Sequence, residues 1–420
     1  MKGDIRSFFC ALAILSAVSC TQTGTREASW LLGTVPSRSV EVMDFRHAGK
    51  GLGMVLDSTH AFRRLDLGKL SRAAMVLSYD YSAAMVPLLG LDAGHTRGDT
   101  SVAVVSIMEQ APALGLHTAY VVDSASMRAA LLLSPSTAAI SEALTHIKAG
   151  TGIMDAPRFG EALSLVEGDE GFVVLRNSSA GHWLPADLPA GPASRRELVK
   201  FLSGAGEWTV IGFPSAGKEN LHVRVSGLED KRYFLSQFEG RKGGVSKIGS
   251  VLPDSVSFVV DLPLDDWKAG YDARRAWLDA NSVLLKHDRE CAALASASGV
   301  NVRDWASRMN PQEVALVGWD GRKVLLLRTR SKLPKEIAEN KFSGYMSALF
   351  GSIFSLQDES AAGSLGGWLV LGSAEDVAAF TADGGHSAAE EFSGRGISFN
   401  VFTPGGTVSC KDGDIRLNIK

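Results

Sequence analysis

The chain has 420 residues, with 43 lysines and arginines against 46 aspartates and glutamates, so its formal net charge is −3. Hydrophobic residues make up 45% and charged residues 21%, a globular composition that excludes disorder, collagen and coiled coil. The near-neutral balance offers no basic surface to nucleic acid, and we expect no such partner. At about 150 residues per domain, the length favours two or three domains.

The first twenty residues predict export and a lipid anchor. Lys2 and Arg6 precede an uninterrupted apolar run at residues 8–18. As a helix this run spans only about 16 Å, which is half a bilayer and typical of a signal peptide. It ends in Ala17-Val18-Ser19-Cys20, which resembles a bacterial lipobox, although Ala17 stands where leucine is usual. We therefore expect residues 1–19 to be a lipoprotein signal peptide and Cys20 to be lipidated; the alternative is a secretory peptide cleaved close to the same place.

Residues 20–29 are polar and predict a tether. Lipoproteins sent to the cell surface in the Bacteroidetes often carry an acidic cluster directly after the cysteine, whereas Arg26 and Glu27 are the only charges here. This favours the cell envelope, on the periplasmic side of the outer membrane. The membrane is then a partner through the anchor.

Two parts of the chain begin alike. Pro36 opens an apolar strand that ends at Asp44, and Pro253 opens another that ends at Asp261, with the same spacing. Residues 52–70 follow the first strand and residues 271–285 the second, and both have helical spacing of apolar residues.

A strand followed by a capped helix also occurs twice. After a strand at residues 131–133, Ser134 is the predicted N-cap and Gly150 the C-cap. After a strand at residues 368–371, Ser373 with Asp376 predicts a capping box, and Gly384 ends the helix. These two repeated patterns predict that the chain arose by duplication followed by divergence.

Hairpins fill the intervals. Strands at residues 314–317 and 324–327 flank Asp320-Gly321, a strong hairpin signal. Residues 208–213 pair in the same way with 221–225, and the C-terminus alternates apolar and polar residues. The predicted fold class is α+β, with two related halves that are each a mainly antiparallel sheet covered by helices. The halves comprise residues 30–245 and 246–420, with the seam in the glycine-rich segment 240–249.

Several of these segments together resemble a known family. They are residues 131–163, the Trp208 hairpin, residues 251–256 (VLPDSV) and residues 368–380 (WLVLGSAEDVAAF). They look like a family of Bacteroidetes lipoproteins of unknown function, whose members resemble one another in a lipobox, two loosely repeated halves and no assigned activity. The resemblance implies a class and an address, and it transfers no functional residue.

The sequence carries only weak signals for catalytic or metal-binding sites. Ser215 and Lys218 have S-x-x-K spacing, but Pro214 and Gly217 place them in a hairpin loop, where the two side chains do not stack. His386 and Glu390 fit a solvated helix start. Asp92, His95 and Asp99 could hold a metal, but they fit a polar turn better. We predict no catalytic residue, no metal ligand and no cofactor.

Two kinds of covalent modification remain open. Cys291 and Cys410 are the cysteines left in the mature chain; they form a disulfide, or Cys291 is a buried thiol on a helical stripe with Trp277 and Leu294. Asp254-Ser255-Val256 resembles the short O-glycosylation pattern of exported Bacteroidetes proteins, so Ser255 is the predicted glycosylation site.

The sequence therefore predicts a cell-envelope lipoprotein with a non-catalytic binding or scaffolding role and an envelope protein as its partner. The alternative is an envelope hydrolase whose site is assembled from scattered residues. An enzyme would show convergent groups with perturbed pKa values, whereas a scaffold would show an exposed apolar patch, to which Trp30, Trp183 or Trp267 would contribute.

Overall fold

The computed structural model describes residues 30–46, 51–53, 56, 60–66, 73–81, 85–95, 102–123, 127–166, 169–184, 191–213, 222–254, 256–330, 342–385, 394–403, 406–411 and 414–419. The chain divides into two compact units, Met1–Gly227 and Leu228–Lys420. The predicted signal peptide, tether, lipidation site Cys20 and glycosylation site Ser255 lie outside the described residues.

The first unit contains one antiparallel sheet. Its strands are β1 (Glu41–Phe45), β2 (Met75–Tyr81), β3 (Met85–His95), β4 (His117–Asp123), β5 (Arg128–Ser134), β6 (Gly171–Arg176), β7 (Trp208–Phe213) and β8 (His222–Val225). They are ordered β4-β5-β3-β2-β1-β6-β7-β8. Its helices are α1 (Val102–Gln110), α2 (Thr137–Ala149), α3 (Phe159–Ser164), α4 (Ala180–Trp183) and α5 (Gly191–Ala205), with 3₁₀ turns at Trp30–Thr34, Ala61–Arg64, Ala111–Leu114, Ile153–Asp155 and Asn177–Ser179.

The second unit repeats this sheet. Its strands are β9 (Gly244–Ser246), β10 (Phe258–Pro263), β11 (Pro311–Trp319), β12 (Arg322–Thr329), β13 (Ala361–Leu365), β14 (Trp368–Gly372), β15 (Gly394–Thr403), β16 (Gly406–Lys411) and β17 (Asp414–Ile419). The order is β13-β14-β12-β11-β10-β15-β16-β17, with the short β9 paired to the start of β15. Its helices are α6 (Trp267–Ala280), α7 (Leu284–Ser298), α8 (Val302–Met309), α9 (Tyr345–Phe350) and α10 (Ala374–Asp383), with 3₁₀ turns at Phe234–Phe238 and Ile248–Ser250.

The eight strands of one sheet correspond to eight of the other in the same spatial order. β1 and β10 occupy the same central position, where each is flanked by the following strand and by a strand from much later in the half. This order confirms the predicted α+β fold with two related halves, each a mainly antiparallel sheet covered by helices.

The inner strands of each sheet are buried on both faces, because strand side chains alternate between two apolar layers. In the first unit one layer includes Val104 of α1, and the other includes Ile140 of α2 and Phe159 of α3. In the second unit one layer includes side chains of α6, α8 and α9, and the other includes Val377 and Phe380 of α10. Among the described residues, no helix is long and apolar enough to cross a membrane.

The two-residue turn at Asp320-Gly321 is confirmed. Both residues have positive φ, 43° and 77°, and Trp319 pairs with Arg322 across the turn. The turn therefore has the geometry that suits the twist of two paired strands.

Several predicted boundaries need correction. The N-cap of α2 is Ser136, whose hydroxyl accepts from Ala139 N, and Ser134 is the buried last residue of β5. The predicted helix at residues 52–70 is not continuous: its described part has helical residues at 51–53 and a 3₁₀ turn at Ala61–Arg64, and Leu65 after that turn is extended. The helix predicted at residues 271–285 is interrupted between α6 and α7.

The compact units divide before the glycine-rich segment that sequence analysis chose as the seam. The 3₁₀ turn Phe234–Phe238 packs against α6, where the rings of Phe234 and Trp277 lie 5.9 Å apart. Trp277 Nε1 also donates to the carbonyl of Arg232 at 3.2 Å. These contacts tie residues before 240 to the second unit.

Candidate functional site

The predicted metal candidates are not brought together in the described residues. Asp92 lies in β3 and not in a turn, and its Oδ2 accepts from Arg128 Nη2 at 2.5 Å. Its Oδ1 accepts from Gly94 N at 2.9 Å. His95 is the last residue of β3, and Asp99 lies outside the described residues. Asp92 is thus a partner of an arginine. The described part of the chain contains no group of three His, Cys, Asp or Glu side chains arranged to hold a metal.

Two of the other candidate pairs lie outside the described residues, so the predictions for them stay untested. They are Ser215 with Lys218 and His386 with Glu390. Cys291 and Cys410 are both thiols, and neither takes part in a disulfide. Of the three tryptophans considered for an apolar patch, Trp267 is buried, whereas Trp30 and Trp183 are half-buried.

Two clusters of buried polar groups were not found from the sequence. The first, the carboxyl cluster, consists of Asp261, Glu313, Ser246 and Arg328. Asp261 lies in the central strand β10 and Glu313 in the neighbouring β11, and both side chains are 0% exposed. Because strand residues two apart share a face, Asp261 lies on the same face as Val259, in the layer covered by α10.

Hydrogen bonds converge on the two carboxyl groups. Ser246 Oγ lies 2.7 Å from Asp261 Oδ2 and 3.3 Å from Glu313 Oε1. Glu313 also accepts from Lys247 N at 2.8 and 3.0 Å and from Arg328 Nε at 2.8 Å. Arg328 Nη2 donates to the carbonyl of Val245 at 2.9 Å. The cluster thereby fixes β9 and Lys247 to the sheet.

The pKa values of both carboxyl groups are raised. Burial and the neighbouring Glu313 carboxylate raise the pKa of Asp261 well above its usual value. Burial also raises the pKa of Glu313, but the Lys247 amide and Arg328 oppose this shift. These directions favour an ionised Glu313 beside a protonated Asp261. Asp261 Oδ2 accepts from the Ser246 hydroxyl and the Asn400 amide, whereas Oδ1 has no hydrogen-bond partner among the described residues.

The second group, the thiol cluster, consists of Tyr271 on α6 and His287 and Cys291 on α7. His287 Nε2 lies 3.1 Å from Tyr271 Oη and 3.5 Å from Cys291 Sγ, and Oη and Sγ are 3.9 Å apart. His287 and Cys291 are four residues apart, so they share one face of the helix. Tyr271 and His287 are buried, whereas Cys291 is half-buried.

Charged groups surround the thiol cluster. Arg275 pairs with Asp288, Arg303 with Asp272, and Lys286 with Glu290. Arg274 also acts electrostatically on the cluster, and at His287 the effect of the arginines exceeds that of the carboxylates.

The protonation of the thiol cluster does not resemble that of an activated cysteine nucleophile. Burial raises the pKa of Cys291, and burial with Arg274 and Arg275 lowers the pKa of His287. A cysteine hydrolase needs the opposite directions, which favour a thiolate beside an imidazolium. At neutral pH the cluster is a thiol, a neutral imidazole and a phenol.

Sequence reasoning had partial signals for both clusters. It noted Asp261 as a duplicated strand-end carboxylate and Cys291 on a helical stripe. Glu313 stands inside an otherwise apolar strand, and that position is a sign of a buried charge with a partner. Nothing in the sequence identified Ser246 or Arg328 as that partner.

Comparison with known protein families, with curated proteins and with solved structures finds no match to this chain.

Proposed function

We propose that the protein is a lipid-anchored cell-envelope protein with a non-catalytic binding or scaffolding role on the periplasmic side of the outer membrane. The observation that carries this proposal is the repetition of one fold in two units whose surroundings have diverged. Both sheets keep the same order, whereas α6, α7 and α8 lie between β10 and β11 of the second unit and the described residues between β1 and β2 of the first include no helix of comparable length. Two copies of one fold with different surfaces are well suited to binding different partner proteins.

The first unit also has a surface suited to a protein partner. Val122 at the end of β4 and Met127 at the start of the next strand are 48% and 47% exposed. The corresponding hairpin of the second unit turns through Gly366-Gly367 instead. Exposed apolar residues in one of two related hairpins favour a contact that only the first unit makes.

Capture from the native envelope tests this proposal. The full-length protein is crosslinked in cells, isolated and identified with its partners by mass spectrometry, and the Cys20 peptide is analysed in the same run. We expect an acylated Cys20 and a reproducible envelope protein. The Cys20→Ala variant should lose both the acyl mass and its membrane fraction.

The hairpin contact has a matched control. Val122→Lys with Met127→Lys should reduce partner capture, whereas a double lysine substitution at the exposed Val283 and Leu285 of the second unit should not. An unmodified Cys20 would contradict the anchor. Absence of a partner above the Cys20→Ala background would contradict the scaffold. A mass increase on the peptide containing Ser255 would confirm the predicted glycan.

A further inference from the structure

We propose that Tyr271, His287 and Cys291 form a binding site for a thiophilic divalent cation such as Zn²⁺. The three donor atoms are a phenol oxygen, an imidazole nitrogen and a sulfur, and all are brought together by one pair of neighbouring helices. Imidazole and cysteine are the usual ligands of zinc in proteins.

The distances between the donor atoms are close to those expected around a single bound zinc ion. With Zn–S near 2.3 Å and Zn–N near 2.0 Å, a tetrahedral angle places sulfur and nitrogen about 3.5 Å apart. Cys291 Sγ and His287 Nε2 are 3.5 Å apart. Tyr271 Oη lies 3.1 Å from the same nitrogen, close to the roughly 3.3 Å of two first-row ligand atoms. Small side-chain adjustments complete a three-ligand site with a fourth position for water.

The helix geometry resembles that of other metal-binding helices. Two ligands at positions i and i+4 lie on one helical face, as the two histidines of an H-E-x-x-H helix do. His287 is neutral, as a ligand must be, and Nε2 is the nitrogen that faces the other two donors. Cys291 is half-buried, so the sulfur is accessible to an entering ion.

The charges around the cluster call for a thiolate ligand. Arg275 and Arg303 pair with Asp288 and Asp272, but Arg274 and Arg275 act on His287 more strongly than Asp288 and Glu290 do, so the negative charge of the Cys291 thiolate has to offset a positive local field. On binding, the S–H bond of Cys291 breaks, the sulfur–metal bond forms and the proton passes to solvent, whereas Tyr271, whose pKa burial raises, keeps its proton and coordinates through the oxygen of a neutral phenol. Binding therefore releases a proton and strengthens as pH rises.

Cobalt(II) is the probe for this site, because thiolate ligation gives an intense sulfur-to-cobalt band in the near ultraviolet. The full chain carries Cys10→Ser and Cys20→Ser, so that Cys291 and Cys410 are its remaining thiols. We expect the band to appear with Co²⁺ and to be displaced by Zn²⁺. Cys291→Ser should abolish it, and His287→Ala should weaken affinity about 100-fold.

Matched variants separate this site from adventitious binding. Cys410→Ala and His146→Ala, a histidine on a helix of the first unit, should leave the band unchanged. In the chain that keeps both Cys291 and Cys410, Zn²⁺ should slow the alkylation of Cys291 and not that of Cys410. This measurement tests the site even where a further variant fails to fold. A chain with no band, or a band that survives Cys291→Ser, would overturn the proposal.

Discussion

The two halves share a strand order but place an arginine–carboxylate pair at different positions in it, between β5 and β3 in the first half and between β12 and β11 in the second. In the first half, Arg128 pairs with Asp92 and lies over the ring of Trp30, with 5.5 Å between the guanidinium carbon and the ring centroid. In the second half, Arg328 pairs with Glu313 and lies over the ring of Trp368 at 5.9 Å. The arginine over a tryptophan is thus repeated with different residues.

The difference lies in burial. The Asp92 side chain is 15% exposed, whereas Glu313 is 0% exposed and is joined by a second carboxyl group, Asp261. Asp44, the counterpart of Asp261 in β1, is also buried. Its register partners on the two adjacent strands are the apolar residues Val76 and Phe172. The second half therefore has two buried carboxyl groups side by side, and we expect its stability to depend on the protonation of that pair.

Removing the two carboxylates should distinguish the halves most strongly. Glu313→Ala leaves Arg328 and the Lys247 amide without their buried anion and should cost about 3–5 kcal/mol. Asp92→Ala removes a more exposed ion pair and should cost about 1 kcal/mol. Urea unfolding of the full chain, followed by hydrogen exchange of peptides from each half, measures both values.

The control for this comparison is Glu375→Ala, which removes an exposed partner of Arg322 and should leave the urea midpoint unchanged. Equal losses for Asp92→Ala and Glu313→Ala would show that burial does not distinguish the two sites. The comparison of the halves would then fail at its main point.

The second-largest difference that we expect between the halves is in how their stability depends on pH. A buried carboxyl whose folded pKa is raised binds its proton more tightly in the folded state, so its stabilisation is complete below the unfolded pKa and is lost as pH rises. In the first half, burial raises the pKa of Glu41 to about 7 from an ordinary 4.5, so this loss ends near neutral pH. In the second half, the pKa of Asp261 is raised well above its usual value, and the loss continues until that group ionises.

Thermal unfolding and hydrogen exchange between about pH 5 and about pH 9 measure this effect. After correction for the intrinsic exchange rate, peptides from β9 and β10 should lose protection with rising pH in the wild type. Asp261→Asn, which keeps a donor toward Glu313 but cannot ionise, should remove that dependence, and Glu41→Gln should flatten only the first half. Protection that is independent of pH in the wild type would contradict the raised pKa of Asp261.

Local patterns in the sequence were sufficient for the hairpins and the duplication, because turn chemistry and strand alternation act over a few residues. Asp320-Gly321 is an example. The position of β10 between β11 and β15 was not predictable, since β15 begins more than a hundred residues later and its pairing is a long-range contact. For the same reason Ser246 and Glu313 could not be joined from the sequence, although each stands in a recognisable strand.

The helix caps provide the smallest and most local test. Sequence analysis identified Ser373 correctly, but it chose Ser134 where Ser136 caps α2, because Pro135 made Ser134 resemble the residue before the first turn. Ser134 is instead buried, and its hydroxyl donates to the carbonyl of Pro87 at 2.8 Å. Ser136→Ala and Ser373→Ala should therefore each cost about 1 kcal/mol and increase amide exchange in the first turn of α2 and α10 respectively. Ser134→Ala should instead affect the pairing of β5 with β3 and free the Ser136 N–H, which the Ser134 hydroxyl accepts at 3.1 Å. Faster exchange along the whole first turn of α2 in Ser134→Ala, with none in Ser136→Ala, would restore Ser134 as the cap.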